Sequence, residues 1–96
     1  MYLVVNHLRL RDPLTDATVE AARDGMRMVV AAGALAARVV RVDETHLILI
    51  LEFSTEEDAG RVAREVGGPW MNEHIRPLLA GDTDRSVGEV IASAGA

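Results

Sequence analysis

Residues 45–53 read THLILILEF, a segment in which both faces of a strand would be apolar. Alternate side chains of a strand point to opposite sides of the sheet, so this pattern gives two apolar rows. One row holds Leu47, Leu49, Leu51 and Phe53, and the other holds Ile48 and Ile50. A strand of this kind needs cover on both sides. The segment therefore predicts a sheet with helices on one face and a partner on the other.

Three further strands are predicted from alternating apolar residues at 2–10, 35–42 and 85–93. The Asp43-Glu44 pair is predicted to form the tight hairpin link between the second and third strands. The last strand follows a turn that is predicted over residues 81–84.

A first helix is predicted between the first two strands, from apolar residues at three- and four-residue spacing. These residues are Val19, Ala22, Met26, Val29, Val30 and Gly33. The helix begins near Asp12-Pro13, with Thr15 or Asp16 as alternative caps. Gly33 is expected to end it, because glycine adopts a left-handed conformation at little cost.

A second helix is predicted after the third strand, where Ser54 and Glu57 have the spacing of a capping box. Its buried stripe consists of Ala59, Val62, Ala63 and Val66. Gly67-Gly68 is expected to end this helix, and Pro69 to start a short helix that covers residues 70–79.

This order of elements predicts an α+β protein with a ferredoxin-like βαββαβ fold, as one domain over residues 1–96. The sheet is antiparallel and four-stranded, and the helices lie on one of its faces. The face that carries Ile48 and Ile50 is most simply covered by the same face of a second copy. We therefore expect a homodimer in which two sheets form a dimeric α+β barrel.

The composition argues against several classes of function. The chain has a net charge of -5 and no cysteine, and its ten basic residues are all arginine. Without cysteine there is no disulfide or thiol chemistry, and an acidic chain without a basic cluster is not expected to bind nucleic acid. The longest apolar run, residues 47–51, is too short to span a membrane, and residues 1–8 lack a basic leader. We expect a cytoplasmic protein.

Asn6 is the first candidate site residue, because it interrupts the apolar row of the first strand that should face the helices. A buried amide costs about 1–3 kcal/mol unless its hydrogen bonds are made. The Asn6 amide has two interpretations. The amide is either satisfied by backbone or water, or it is a polar contact for a ligand between sheet and helices.

Trp70 and His74 are four residues apart, so they share one face of a helix, which Leu78 extends. In one interpretation, Trp70 closes the end of the core and His74 lies at the surface. In the other, Trp70 forms an apolar wall of a pocket, and His74 is a base, a hydrogen-bond donor or an iron ligand there. Arg76, and with it Arg85, could orient an anionic ligand. No metal site is expected from the histidines, since His74 belongs to the helical side and the other two to the opposite face.

The segment GPWMNEHIRPLL, residues 68–79, together with the order of elements, resembles the dimeric α+β barrel superfamily. The chain is most similar to its antibiotic-biosynthesis-monooxygenase-like branch, the ABM domain. This resemblance implies a pocket between sheet and helices, lined by an asparagine of the first strand, which matches Asn6. It also implies that His74 corresponds to the histidine that binds heme iron in heme-degrading members.

The leading hypothesis is a cofactor-free monooxygenase, or a binding protein, for a planar and mostly apolar phenolic or polyketide-like ligand. Asn6 and His74 would be the catalytic residues, and the ligand would contact Trp70, Met26, Leu78 and Arg76. One alternative is a heme-binding or heme-degrading protein with His74 as the iron ligand. The other is a structural or regulatory dimer without enzymatic activity.

Overall fold

The computed structural model describes residues 1–95 and has the element order βαββαβ. The strands are β1 (Tyr2–Arg9), β2 (Ala36–Asp43), β3 (His46–Phe53) and β4 (Asp84–Glu89). The α-helices are α1 (Asp16–Ala32), α2 (Glu56–Val62) and α3 (Gly68–His74), with a π-helical turn at Ala63–Gly67 and a 3₁₀ turn at Arg76–Leu78. The four strands form an antiparallel sheet in the order β2-β3-β1-β4, which confirms the ferredoxin-like prediction.

The register of the sheet separates two faces. Asn6 lies opposite Leu49 on β3 and opposite Arg85 on β4, in the row that faces the helices. The buried core lies between this face and the helices, and includes Val4, Leu8, Leu47, Leu49, Leu51, Phe53, Val62, Trp70 and Ile75. Asn6 is therefore a polar side chain in the middle of the apolar layer.

The other face of the sheet lies outside the helical layer, and we call it the open face. On the two central strands, its apolar side chains Leu3, Val5, Ile48 and Ile50 are all half-buried, and Val40 of β2 beside Ile48 is exposed. No helix within residues 1–95 is long and apolar enough to cross a membrane.

Thr15 caps the N-terminus of helix α1, and it is one of the three caps that the sequence allowed. Its hydroxyl oxygen accepts a hydrogen bond from the Thr18 amide at 3.2 Å. The helix ends at Gly33, whose φ of 135° favours glycine as predicted. The predicted burial of Val30 is wrong, since it is 45% exposed. Gly25 is buried on α1 instead, because the indole of Trp70 packs against its backbone.

Helix α2 begins one residue later than expected. Thr55, not Ser54, is the cap, and its hydroxyl oxygen accepts a hydrogen bond from the Asp58 amide at 3.0 Å.

We expect Thr55→Ala to lower the free energy of unfolding by about 1 kcal/mol, since an amide at the helix start loses its partner. Urea denaturation would measure this, with Ser54→Ala as the control that stays within about 0.5 kcal/mol of the wild type. Equal losses in the two variants would contradict the assignment.

The prediction that Gly67-Gly68 ends the second helix is also wrong. Gly68 has a right-handed helical φ of −61°, and its N–H donates to the carbonyl oxygen of Ala63 in the wider π-helical pattern. A Cβ on Gly68 would lie 2.8 Å from that oxygen, so glycine is needed for the close approach. Pro69 then occupies the first turn of α3, where a missing N–H costs little.

Two strand ends differ from their predicted positions. The hairpin turn consists of Glu44-Thr45, not Asp43-Glu44, because the carboxylate of Asp43 accepts a hydrogen bond from the Thr45 amide at 2.9 Å. This bond is the main reason that the pKa of Asp43 lies below its usual value. Strand β4 ends at Glu89 rather than at residue 93, and Ile91 beyond it is 92% exposed.

Candidate functional site

A cavity of about 290 Å³ lies beside Asn6, between the sheet and the helices. Its wall is mostly apolar and includes Met26 from α1, Phe53 from β3 and Trp70 from α3. This volume is near the lower end of the range for small-molecule sites, so it suits a ligand of one or two rings.

The amide of Asn6 has an unpaired acceptor. The residue is only 6% exposed, and its Oδ1 atom is buried without a hydrogen-bond partner. Buried oxygens are nearly always paired, and an unpaired one costs about 1–3 kcal/mol. Since Asn6 also lines the cavity, a ligand that donates a hydrogen bond there would remove this cost.

Two arginines line the same cavity, and both are otherwise exposed to solvent. Arg85 reaches it from β4, where it is the strand partner of Asn6. Arg76 reaches it from the 3₁₀ turn, and its Nε donates to Oδ1 of Asn72 at 2.8 Å, which restricts the side chain. The cavity thus combines an apolar wall with positive charge, an arrangement that favours an aromatic ligand with an anionic oxygen.

Trp70 forms a partition in this region. The side chain is 6% exposed, and a Cβ added to Gly25 would lie 2.3 Å from its Cε2 atom. Together with Met26, it lines both the Asn6 cavity and a second cavity of about 440 Å³, which lies between α1 and strands β2 and β3. The position of the indole therefore controls the shape of both spaces.

His74 and Leu78 lie outside the Asn6 cavity. The His74 side chain is 39% exposed, with its Nε2 3.8 Å from a carboxylate oxygen of Glu73, and its ring centroid is 5.8 Å from that of Trp70. Neither His74 nor the exposed Leu78 lines either cavity. Helix α3 ends at His74, and the buried residue that follows Trp70 by about one turn is Ile75.

The structure therefore brings Asn6, Met26, Trp70 and Arg76 to one cavity and leaves His74 and Leu78 outside it. The arrangement does not fit heme, because no histidine lines either cavity as an axial ligand. Within residues 1–95, no group of three or more histidine or acidic side chains could hold a metal ion.

Some lining residues were not identified from the sequence, among them Thr83, Met71 and Asn72. Arg85 was identified only as a residue that could orient an anionic ligand. The position of Arg85 could have been inferred from the sequence, because antiparallel pairing of the first and last strands places it beside Asn6.

No protein-family model matches the sequence, and no curated protein matches it. Solved structures do match. An antibiotic biosynthesis monooxygenase aligns with a TM-score of 0.82 over 96% of this chain and 100% of that chain, at 14% identity. SnoaB, a cofactor-independent oxygenase from Streptomyces nogalater, gives 0.80 over 96% and 94%, at 9% identity. Rv0793 from Mycobacterium tuberculosis gives 0.77 over 98% of both chains, at 12% identity. The chain thus has the fold of the antibiotic biosynthesis monooxygenases.

Proposed function

We propose that this protein binds a small planar phenol in the Asn6 cavity and oxidises it with dioxygen, without a cofactor. The observation that carries the proposal is the buried, unpaired Oδ1 of Asn6, a residue that lines an apolar cavity. The description of SnoaB, a protein of the same fold, as a cofactor-independent oxygenase supports the reaction type.

The cavity residues have complementary roles in this proposal. Oδ1 of Asn6 accepts a hydrogen bond from the phenol hydroxyl and fixes the orientation of the ring. When the bound phenol ionises, its hydroxyl proton passes to water and the hydrogen bond to Asn6 is released. The guanidinium groups of Arg76 and Arg85 then stabilise the phenolate, because a nearby positive charge favours the anion. His74 is not assigned a direct contact with the ligand, since it lies outside the cavity.

An electron-rich phenolate can itself reduce dioxygen. The phenol loses the hydrogens of its O–H bond and of one ring C–H bond and gives up four electrons. One oxygen atom forms a carbonyl on the ring, and the other leaves as water with both hydrogens. The overall reaction is phenol plus dioxygen to quinone plus water, so no external reductant is needed.

We further propose that the protein is a homodimer in which the open faces of two copies pack together. Leu3, Val5, Ile48 and Ile50 form an apolar row on this face that the helices of the same chain do not cover. Pairing through this face would leave the Asn6 cavity, on the other side of the sheet, accessible to a ligand.

The binding step is tested with 1-naphthol and naphthalene, which differ by one hydroxyl group. We expect the wild-type protein to bind 1-naphthol about tenfold more tightly than naphthalene, since one hydrogen bond contributes about 1.4 kcal/mol. In Asn6→Leu this preference should disappear, while naphthalene binding stays similar. Isothermal titration calorimetry measures all four affinities.

His74→Ala is the matched control, because His74 lies beside Trp70 but does not line the Asn6 cavity. It should retain the preference for 1-naphthol. A preference that survives in Asn6→Leu, or the absence of binding by the wild type, would refute the Asn6 contact.

The oxidation step has a separate test. With 1-naphthol and dissolved oxygen, we expect equal molar consumption of phenol and dioxygen and an absorbance increase from the quinone. Chelator-treated protein should react at the same rate, and Asn6→Leu at least about tenfold more slowly. Binding without oxygen consumption would support a binding protein instead of an oxygenase.

A further inference from the structure

Two histidines meet on the open face of the sheet. His7 of β1 lies opposite Ile48, and His46 of β3 lies opposite Arg9, so the two histidines are diagonal neighbours on adjacent strands. Nδ1 of His7 is 3.0 Å from Nε2 of His46. Both residues are half-buried, and their ring centroids are 5.2 Å apart.

The distance between these nitrogens suits a shared metal ion. Metal–nitrogen bonds to imidazole are about 2.0–2.1 Å long, so two neighbouring ligands at 90–110° lie about 3.0–3.4 Å apart. In the absence of a metal, one ring donates a hydrogen to the other across the same gap. A divalent ion would lie to one side of the line between the two nitrogens, and it would bind after small ring rotations that direct both lone pairs to it, with both rings neutral and the shared hydrogen absent.

The surrounding charges are mixed, and carboxylates lie on both sides of the pair. Asp84 of β4 is the strand partner of His7, and Asp43 of β2 is the strand partner of His46. Two cations, Arg9 of β1 and Arg38 of β2, lie on the same face, and both side chains are exposed. Because strands β1 and β3 fix both histidine backbones, little conformational entropy is lost when a metal binds.

We infer that His7 and His46 form a two-nitrogen chelating site for a divalent transition-metal ion such as Ni²⁺ or Zn²⁺. Imidazole nitrogens favour these ions over Mg²⁺ and Ca²⁺. Water completes the coordination, since no third histidine or acidic side chain within residues 1–95 joins the pair. The inference does not depend on the proposed oxidation, because the site lies on the other side of the sheet from the Asn6 cavity. In the proposed homodimer, the histidine pair would lie on the face that the two copies share.

The chain offers a matched control for this site. It contains three histidines, and His74 has no histidine neighbour within residues 1–95. Calorimetric titration of untagged protein with Ni²⁺ should show one ion bound per His7–His46 pair. His7→Gln and His46→Gln should each weaken binding at least about tenfold, and His74→Gln should leave it unchanged.

A second measurement reports the ligands directly. Electron paramagnetic resonance of the Cu²⁺-loaded wild type should show splitting from two nitrogens, which is lost in His7→Gln. Circular dichroism confirms that each variant is folded. Absence of saturable Ni²⁺ binding, or equal binding by His7→Gln and the wild type, would overturn the inference.

Discussion

Replacing Ile50 by glutamate is expected to convert the proposed homodimer into a monomer. Ile50 is half-buried on the open face, opposite Val5 on one side and Arg38 on the other. In a face-to-face pair its side chain would be removed from water. Burial of a carboxylate costs several kcal/mol, and pairing with the neighbouring Arg38 does not recover this cost, because both charges lose their hydration. We expect the dissociation constant to rise by roughly 100-fold or more, which corresponds to about 2.7 kcal/mol. Sedimentation equilibrium measures the change.

Val30→Glu is the control for added charge, because Val30 is exposed on α1, away from the open face. This variant should remain as dimeric as the wild type, and circular dichroism should show both variants folded. A wild-type protein that is monomeric in the same measurement, or Ile50→Glu that stays dimeric, would remove the basis for the proposed pairing.

The second large effect is expected for Gly25→Ala, a substitution that usually favours helices. The added Cβ would lie 2.3–2.7 Å from three atoms of the Trp70 indole, and this rigid side chain is itself buried. The indole or the helix must shift, and overpacking of this kind costs about 1–3 kcal/mol. After a gain in helix propensity of about 1 kcal/mol, we expect a net loss of up to about 2 kcal/mol in the free energy of unfolding.

Gly60→Ala provides the comparison, since Gly60 also lies within a helix. Its Cβ would meet only the terminal Nη1 of Arg64, at 3.2 Å, which can move away. This variant should gain about 0.5–1 kcal/mol. Guanidinium denaturation of both variants gives the test, and a stabilised Gly25→Ala would show that the contact with Trp70 is not tight. In a Trp70→Leu background, Gly25→Ala should cost less stability than it does in the wild type, which a double-mutant cycle measures.

The fold was predictable because strands and amphipathic helices have different hydrophobic periods. The two apolar rows of residues 45–53 marked a central strand, and β3 does lie inside the sheet between β1 and β2. The helix boundaries were less predictable. Gly67-Gly68 resembles a helix end, but the close approach of Gly68 to Ala63 belongs to a π-helical turn, which no simple spacing rule reveals.

The candidate site was predictable in part. Asn6 stood out because one polar residue interrupted an apolar row, and the structure leaves its Oδ1 without a partner. The four-residue spacing of Trp70, His74 and Leu78 predicted that all three lie on one side of a helix. Trp70 and His74 do share a side of α3, with ring centroids 5.8 Å apart. Leu78 does not continue that side, because the helix ends at His74 and a 3₁₀ turn follows.

The partition formed by Trp70 also gives the protein a built-in optical signal. It is the sole tryptophan of the chain, and its indole borders both internal spaces and the His74 ring. Ultraviolet-excited emission from unlabelled protein would therefore arise almost entirely at this one position. Binding of a ligand in either cavity would change the wavelength or intensity of that emission, so a library of compounds could be screened without a dye.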